Sequence, residues 1–380
     1  MNYLKFQIKK VTKNNLIIIT VGLLIVLSFV VLILNKNAAT QMSLESEAYG
    51  NQALQQKNIK ESKADLKNFP KNSERYKVAQ EDLTSNEAEL EKTNTLIKEL
   101  KNKNWEKVYK IKYSNLLKAD KYTFQDKSAT QTEKFYLNKN LALFAYLKRH
   151  PLPYQTDPPS EGYMFLTDLN QLYLPIIFSV IAVFMLTQLY TSSYKNKVDI
   201  DSLIPLQSNK KILYNSLSGV IIVGFIYILV NLLVFIGSSI LFGTGSIDYP
   251  FYIYTSESAG YYTPVRNIFM PSIILSFLGI GFIVVMMQLI SKLLKDQLPT
   301  LFIGIVLLVG FNMATAFIVP LKNIAPYLPT TYLNSIKTVS GELAFQIGNF
   351  NVNYTNGVIS LFTGIVIASA SLQLLNLKNK

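Results

Sequence analysis

The chain contains no cysteine and a single histidine, His150. Without cysteine there is no disulfide framework, no thiolate nucleophile and no cysteine-ligated zinc or iron–sulfur centre. One histidine excludes a polyhistidine metal centre within one chain. The sequence also lacks a G-x-x-x-x-G-K-S/T phosphate loop, a G-x-S-x-G elbow, an H-E-x-x-H pair and an EF-hand loop. By these routes the chain is not an enzyme, and no catalytic, cofactor-binding or metal residue is assigned. Charge is the next scarcity. Asp, Glu, Lys and Arg make up 16% of the 380 residues, against about 25% in ordinary soluble chains.

The missing charge is concentrated in six segments that hold no Asp, Glu, Lys, Arg or His. They are Asn14–Leu34, Leu172–Thr191, Ile212–Phe242, Ile268–Ser291, Leu298–Pro320 and Gly357–Leu377. A bilayer core about 30 Å thick needs about 20 mostly apolar helical residues to cross it. One charge at its centre costs about 2.5–3.5 kcal/mol. Buried helices of soluble proteins are usually shorter and apolar on one side only. The pattern therefore predicts an all-α polytopic membrane protein with six transmembrane helices. The first segment follows Lys5, Lys9, Lys10 and Lys13 and could be a signal peptide. It exceeds the usual 7–15 apolar residues, and Ala38-Ala39 does not make an A-x-A site, so a retained span is expected.

The basic excess, +13 overall, sets the orientation. Twelve lysines fall in residues 1–13, 192–211, 292–297 and 378–380. The short segments 243–267 and 321–356 hold only Arg266, Lys322 and Lys337. Lys and Arg accumulate on the cytoplasmic side. Both termini are thus expected in the cytoplasm of a multi-pass plasma-membrane protein, with residues 35–171 extracellular. The chain divides into 1–34 (N-terminus and first span), 35–171 (external, mainly helical domain) and 172–380 (five spans, with a cytoplasmic loop at 192–211). The net charge reads as a topology signal, and a lipid membrane rather than nucleic acid is the expected partner.

Residues 35–171 carry 22 basic and 18 acidic side chains. Tyr76, Leu83, Leu90 and Ile97 recur every seven residues, alongside a second seam of Ala79, Asn86, Thr93 and Leu100. That spacing predicts a long amphipathic helix with an imperfect coiled-coil seam. A polar helix over about Gln41–Asn68 precedes it, with Pro70 between them, so a helical hairpin is expected. Residues His150–Ser160, with four prolines, read as an extended linker.

Other features fit bilayer packing. Pro175, Pro271 and Pro299 lie near span starts, where a missing N–H is tolerated. Ser360, Gly364 and Ala368 form a small-residue stripe that permits close helix approach. The aromatics of 249–262 (Tyr249, Phe251, Tyr252, Tyr254, Tyr261, Tyr262) suit a membrane interface. No span contains Asp, Glu, Lys, Arg or His, which argues against an autonomous ion-driven carrier.

The segment 194–211 places two acids, a Leu203-Ile204-Pro205-Leu206 knot and the pair Lys210-Lys211 between the second and third spans. It resembles the first intracellular loop of ABC-2-type transporter permeases. A second stretch, Leu328–Asn334 followed by Gly341 and Gly357, looks like the external re-entrant segment of the same family. Six spans with a large external domain after the first also resemble its exporter-like branch. The resemblance implies coupling to a separate ATPase through Asp199, Asp201, Leu203, Pro205, Lys210 and Lys211. It further implies ATP and magnesium held by that partner rather than this chain, a second permease subunit, and export or clearance of an amphipathic cargo such as a peptide antibiotic, lipid or drug-like molecule. Two other readings stand beside it: an FtsX-like mechanotransmitter or sensor, and an immunity or receptor protein working without an ATPase.

Overall fold

The computed structural model describes residues 2–125, 128–195, 198–200 and 207–378. It separates into two compact units, Met1–Leu32 with Glu161–Lys380, and Ile33–Ser160.

The first unit is a helical bundle. Among the described residues, six helices are long and apolar enough to cross a membrane. Its elements begin with α1 (Asn2–Thr12) and α2 (Asn15–Gln41). Asn14 separates these two, its side chain accepting from the Leu16 amide at 3.0 Å, as a helix N-cap does. In α1, Tyr3, Gln7 and Val11 are buried and Lys5 and Lys9 exposed, the i, i+4, i+8 spacing of an amphipathic helix. α2 leaves Ile18, Ile19, Leu23 and Val26 more than half exposed. A continuous apolar surface of that kind needs lipid or a partner to cover it.

Next come α7 (Gly162–Leu172) and α8 (Leu174–Thr191), a two-residue strand pair β1/β2 (Tyr194–Lys195, Val198–Asp199), and α9 (Ser208–Phe242). The charged boundary residues Glu161 and Asp168 thus fall with the bundle. The free amides of Gly162 and Tyr163 donate to the carbonyls of Gly243 and Thr244 at 2.9 and 3.0 Å, so the end of α9 caps the start of α7. α10 (Arg266–Leu294) packs against α8, α9 and α16 (Tyr354–Lys378). Val284, Met287 and Leu275 on α10 are completely buried.

The fifth span departs from an uninterrupted helix over 298–320. It runs as α11 (Gln297–Gly304), a π-helical stretch Ile305–Gly310, and α12 (Phe311–Phe317). Ile318 is extended, and α13 restarts at Val319–Ile324 with Pro320 at its second position. Proline has no N–H to continue the preceding helix and disfavours helical backbone just before it. Residues 325–347 then form two 3₁₀ turns and the short helices α14 (Ser335–Val339) and α15 (Glu342–Ile347). Tyr332, Ile336 and Ser340 in this stretch are buried. Irregular backbone among spans is tolerated where protein buries it.

Residues 249–264 form a hairpin, β3 (Pro250–Tyr254) and β4 (Gly260–Pro264), in antiparallel register. Tyr252 packs edge-on to Tyr254 and Tyr262. The Tyr254 amide donates to the Ser340 carbonyl at 2.8 Å. Gly341 sits beside that contact at φ +72°, and a Cβ there would strike the Tyr254 carbonyl. Only glycine combines that backbone conformation with so close an approach.

The second unit holds two helical hairpins: α3 (Leu44–Asn68) against α4 (Glu74–Lys101), and α5 (Trp105–Gln125) against α6 (Gln131–Arg149). The starts of α3, α4 and α6 are capped at Ser43, Ser73 and Thr130, the last in a capping box with Glu133. Every position of both heptad seams on α4 is buried or half-buried. Asn86 approaches Asn58 of α3 at 3.5 Å, and Lys63 pairs with Glu87 at 2.9 Å.

Candidate functional site

Two places in the bundle combine polar chemistry with space. The first is its basic end. β1 and β2 pair Tyr194 with Asp199, and the Ile200 amide closes the turn onto the Ser193 carbonyl at 2.8 Å. Lys211, in the first turn of α9, reaches both Asp199 carboxylate oxygens at 3.3 and 3.1 Å. The pair is partly exposed, 16% and 39% by side chain, so it contributes at most about 1 kcal/mol. Its role is to place the strand pair against α9. Lys210, in the same turn, is exposed. Two lysines at a helix N-terminus face the positive end of the helix dipole, a local cost of about 0.3–1 kcal/mol each. Asp199 offsets part of it for Lys211, and among the described residues no acid pairs with Lys210.

Of the six residues expected to couple to an ATPase, Asp199 and Lys211 come together and Lys210 stands beside them. Asp201, Leu203 and Pro205 lie outside the described residues. Lys292 of α10 donates to Asn376 of α16 at 3.1 Å, and Asn376 donates to Asn209 of α9 at 3.3 Å. Three spans are thereby tied at this end. A cavity of about 760 Å³ opens here, lined by Lys10, Asn14, Gln188, Tyr194, Lys295 and Asp296 among others. Asn14 also donates to Gln188 across its wall.

The second place lies nearer the other end of the spans. Asn170 of α7 donates to Asn231 of α9 at 2.6 Å and accepts from Tyr227 at 3.0 Å. Tyr227 also reaches Ser276 of α10 at 3.1 Å, and Ser276 pairs with Ser335 of α14 at 2.8 Å. Five uncharged polar side chains from four elements thus satisfy one another. Polar groups among apolar spans are costly unless paired in this way. Beside them is a cleft of about 510 Å³ whose other walls are mostly apolar or aromatic, including Tyr163, Phe235, Phe269 and Phe277, with Ser272 among them. Asn231 and Ser276 lie about 15 Å from the ends of α9 and α10 on this side, at 1.5 Å per residue.

No family model, curated protein or solved structure matches this chain.

The ladder was invisible to a search for charge, because none of its members ionises at neutral pH. The available signal was Tyr227 and Asn231, four residues apart on one helix face inside an otherwise apolar run. The small-residue stripe, by contrast, is visible in both sequence and structure. Ser360 donates to the Tyr327 carbonyl at 3.1 Å. A Cβ on Gly364 would lie 2.7 Å from Pro329 and 2.9 Å from Phe282. Ala368 is buried with Val285 and Leu372. The stripe therefore seats α16 against α10 and the 326–329 turn of its own chain. Among the described residues, no group of three or more metal-ligating side chains converges.

Proposed function

We propose that this chain is the membrane-spanning subunit of an ATP-driven transporter of the ABC-2 type, which moves an amphipathic molecule with energy from a separate ATPase subunit. The observation that carries the reading is the continuity of α9. Its first turn holds the strand pair through Lys211 and Asp199, and its Tyr227 and Asn231 stand in the polar ladder beside the cleft. The separation is about 24–30 Å along one unbroken helix. A push on the 192–211 loop would reach the cleft without passing through a flexible joint.

Three further observations support it. The charge-free segments hold no Asp, Glu, Lys, Arg or His that could couple to an ion gradient. The basic end presents the exposed Lys210 beside the strand pair, a surface suited to a partner with acidic side chains. The lysine asymmetry favours a cytoplasmic location for that end and both termini, which would leave residues 35–171 outside the cell. ATP and magnesium would be held by the partner, and a second six-span subunit would complete the pathway, whether an identical copy or a different chain.

The test is transport of an amphipathic cargo by cells or proteoliposomes carrying the chain and its ATPase. Replacing Pro205, Lys210 and Lys211 by alanine together should abolish energy-dependent transport while leaving the chain folded in the membrane. Unchanged transport would remove the basis of the proposal. Reversing the pair, Asp199→Lys with Lys211→Asp, should restore more activity than either single change.

A further inference from the structure

We propose that the cleft between α7, α9 and α10 binds an uncharged amphiphile, an apolar chain or ring system bearing a hydroxyl or amide head, taken directly from the lipid. This deepens the transport reading by naming the class of cargo, and rests on that reading only for what the bound molecule is for.

Four observations carry it. The volume, about 510 Å³, lies in the range of about 300–1,000 Å³ that holds drug-sized ligands. The rim residues Ile228, Leu232 and Ile273 are 52%, 50% and 44% exposed, so the mouth lies on the apolar outer surface of the spans. None of the lining residues is Asp, Glu, Lys, Arg or His. A charged head would find no counter-charge there, and desolvating it would be prohibitive. Finally, Ser272 lines the cleft at 5% exposure, and its hydroxyl is buried without a hydrogen-bond partner. The neighbouring polar groups are committed to one another: the Asn231 amide donates to the Tyr227 carbonyl at 2.8 Å and its oxygen accepts from Asn170. Ser272 is the unspent group. An unpaired buried hydroxyl is unfavourable, and a neutral head with one donor or acceptor satisfies it.

Photo-labelling of the purified full chain in phosphatidylcholine nanodiscs, without ATP or a partner, tests the site. The probe is a diazirine-bearing diacylglycerol, compared with phosphatidate carrying the same acyl chain. Diacylglycerol should label peptides covering 163–170, 227–235 and 269–277, with competition by the unlabelled lipid. Ser272→Ala should raise the half-saturating concentration about threefold to tenfold, the effect of one hydrogen bond. It should not lower the melting temperature, because the hydroxyl it removes has no partner in the fold. Leu232→Trp should block the mouth, with Ile228→Trp as the second variant should the first fold poorly. Three results would overturn the inference: label spread evenly over the lipid-exposed helices, equal labelling of the cleft by phosphatidate, or a Ser272→Ala curve superimposed on the original. Specific binding with failed transport leaves the cleft intact and removes the transporter reading. Transport without this binding does the reverse.

Discussion

Asn170 shows how one side chain can order several elements. It donates both to Leu166 of its own helix and to Asn231, and accepts from Tyr227. Nothing in its local sequence announced this, since an asparagine near a span start reads equally well as a loop residue. The partners are 57 and 61 residues away, and only the packing of α7 against α9 brings them together. Tyr154 makes the same point in the second unit. It falls in the proline-rich segment that reads as an extended linker, yet its ring stacks on Phe144 at 6.2 Å. Burial first, then the carboxylates of Glu47 and Asp157, push its hydroxyl up to about 12. The folded state therefore holds this proton between about pH 10 and 12, where the unfolded chain releases it. The stabilisation is fully present below pH 10 and is lost as pH rises through 12. Its size is on the order of 3 kcal/mol at most. In thermal melts from pH 9 to 12, Tyr154→Phe should lose less stability than the original chain above pH 10. Parallel pH profiles would show that Tyr154 does not titrate as described.

At the scale of elements, close approach is set by small residues. A Cβ on Gly219 of α9 would lie 2.8 Å from Val284 and would also strike the Tyr190 hydroxyl, which donates to the Asn215 carbonyl at 3.1 Å. Gly219→Leu should overpack the α8–α9–α10 junction at a cost of about 1–3 kcal/mol or more. Gly22→Leu meets nothing within 4 Å and should be neutral. Melting of the two variants in detergent checks the contrast, and equal effects would contradict the packing described. Element boundaries were readable where a single physical cause dominated. The charge-free runs gave six spans, and the seven-residue repeat gave α4 together with its buried seam. The α5–α6 hairpin was not legible, because its apolar positions are diluted by lysines and its partner surface is another helix of the same unit. The β3–β4 hairpin was hidden because its tyrosines suit a membrane interface as well as a strand. The break after Phe317 was signalled by Pro320, which the hydropathy of the surrounding run masked.

For the whole molecule, scarcity of charge and the placement of lysine carry most of the argument. They distinguish apolar spans from a charged helical unit, and one end of the bundle from the other. They do not reveal the ladder or the cleft, whose chemistry is uncharged and assembled from four elements. The proposed function joins the two ends: the basic surface would receive force, α9 would carry it, and the cleft would hold the cargo. Its most direct test is purification of the tagged chain from its native membrane in a mild detergent, followed by measurement of ATP hydrolysis in the purified complex. The account predicts a vanadate-sensitive activity from a separate nucleotide-hydrolysing subunit in roughly equal amount. It also predicts loss of that subunit when Pro205, Lys210 and Lys211 are replaced by alanine. A purified chain with no associated ATPase, or a triple variant that retains one unchanged, would contradict it.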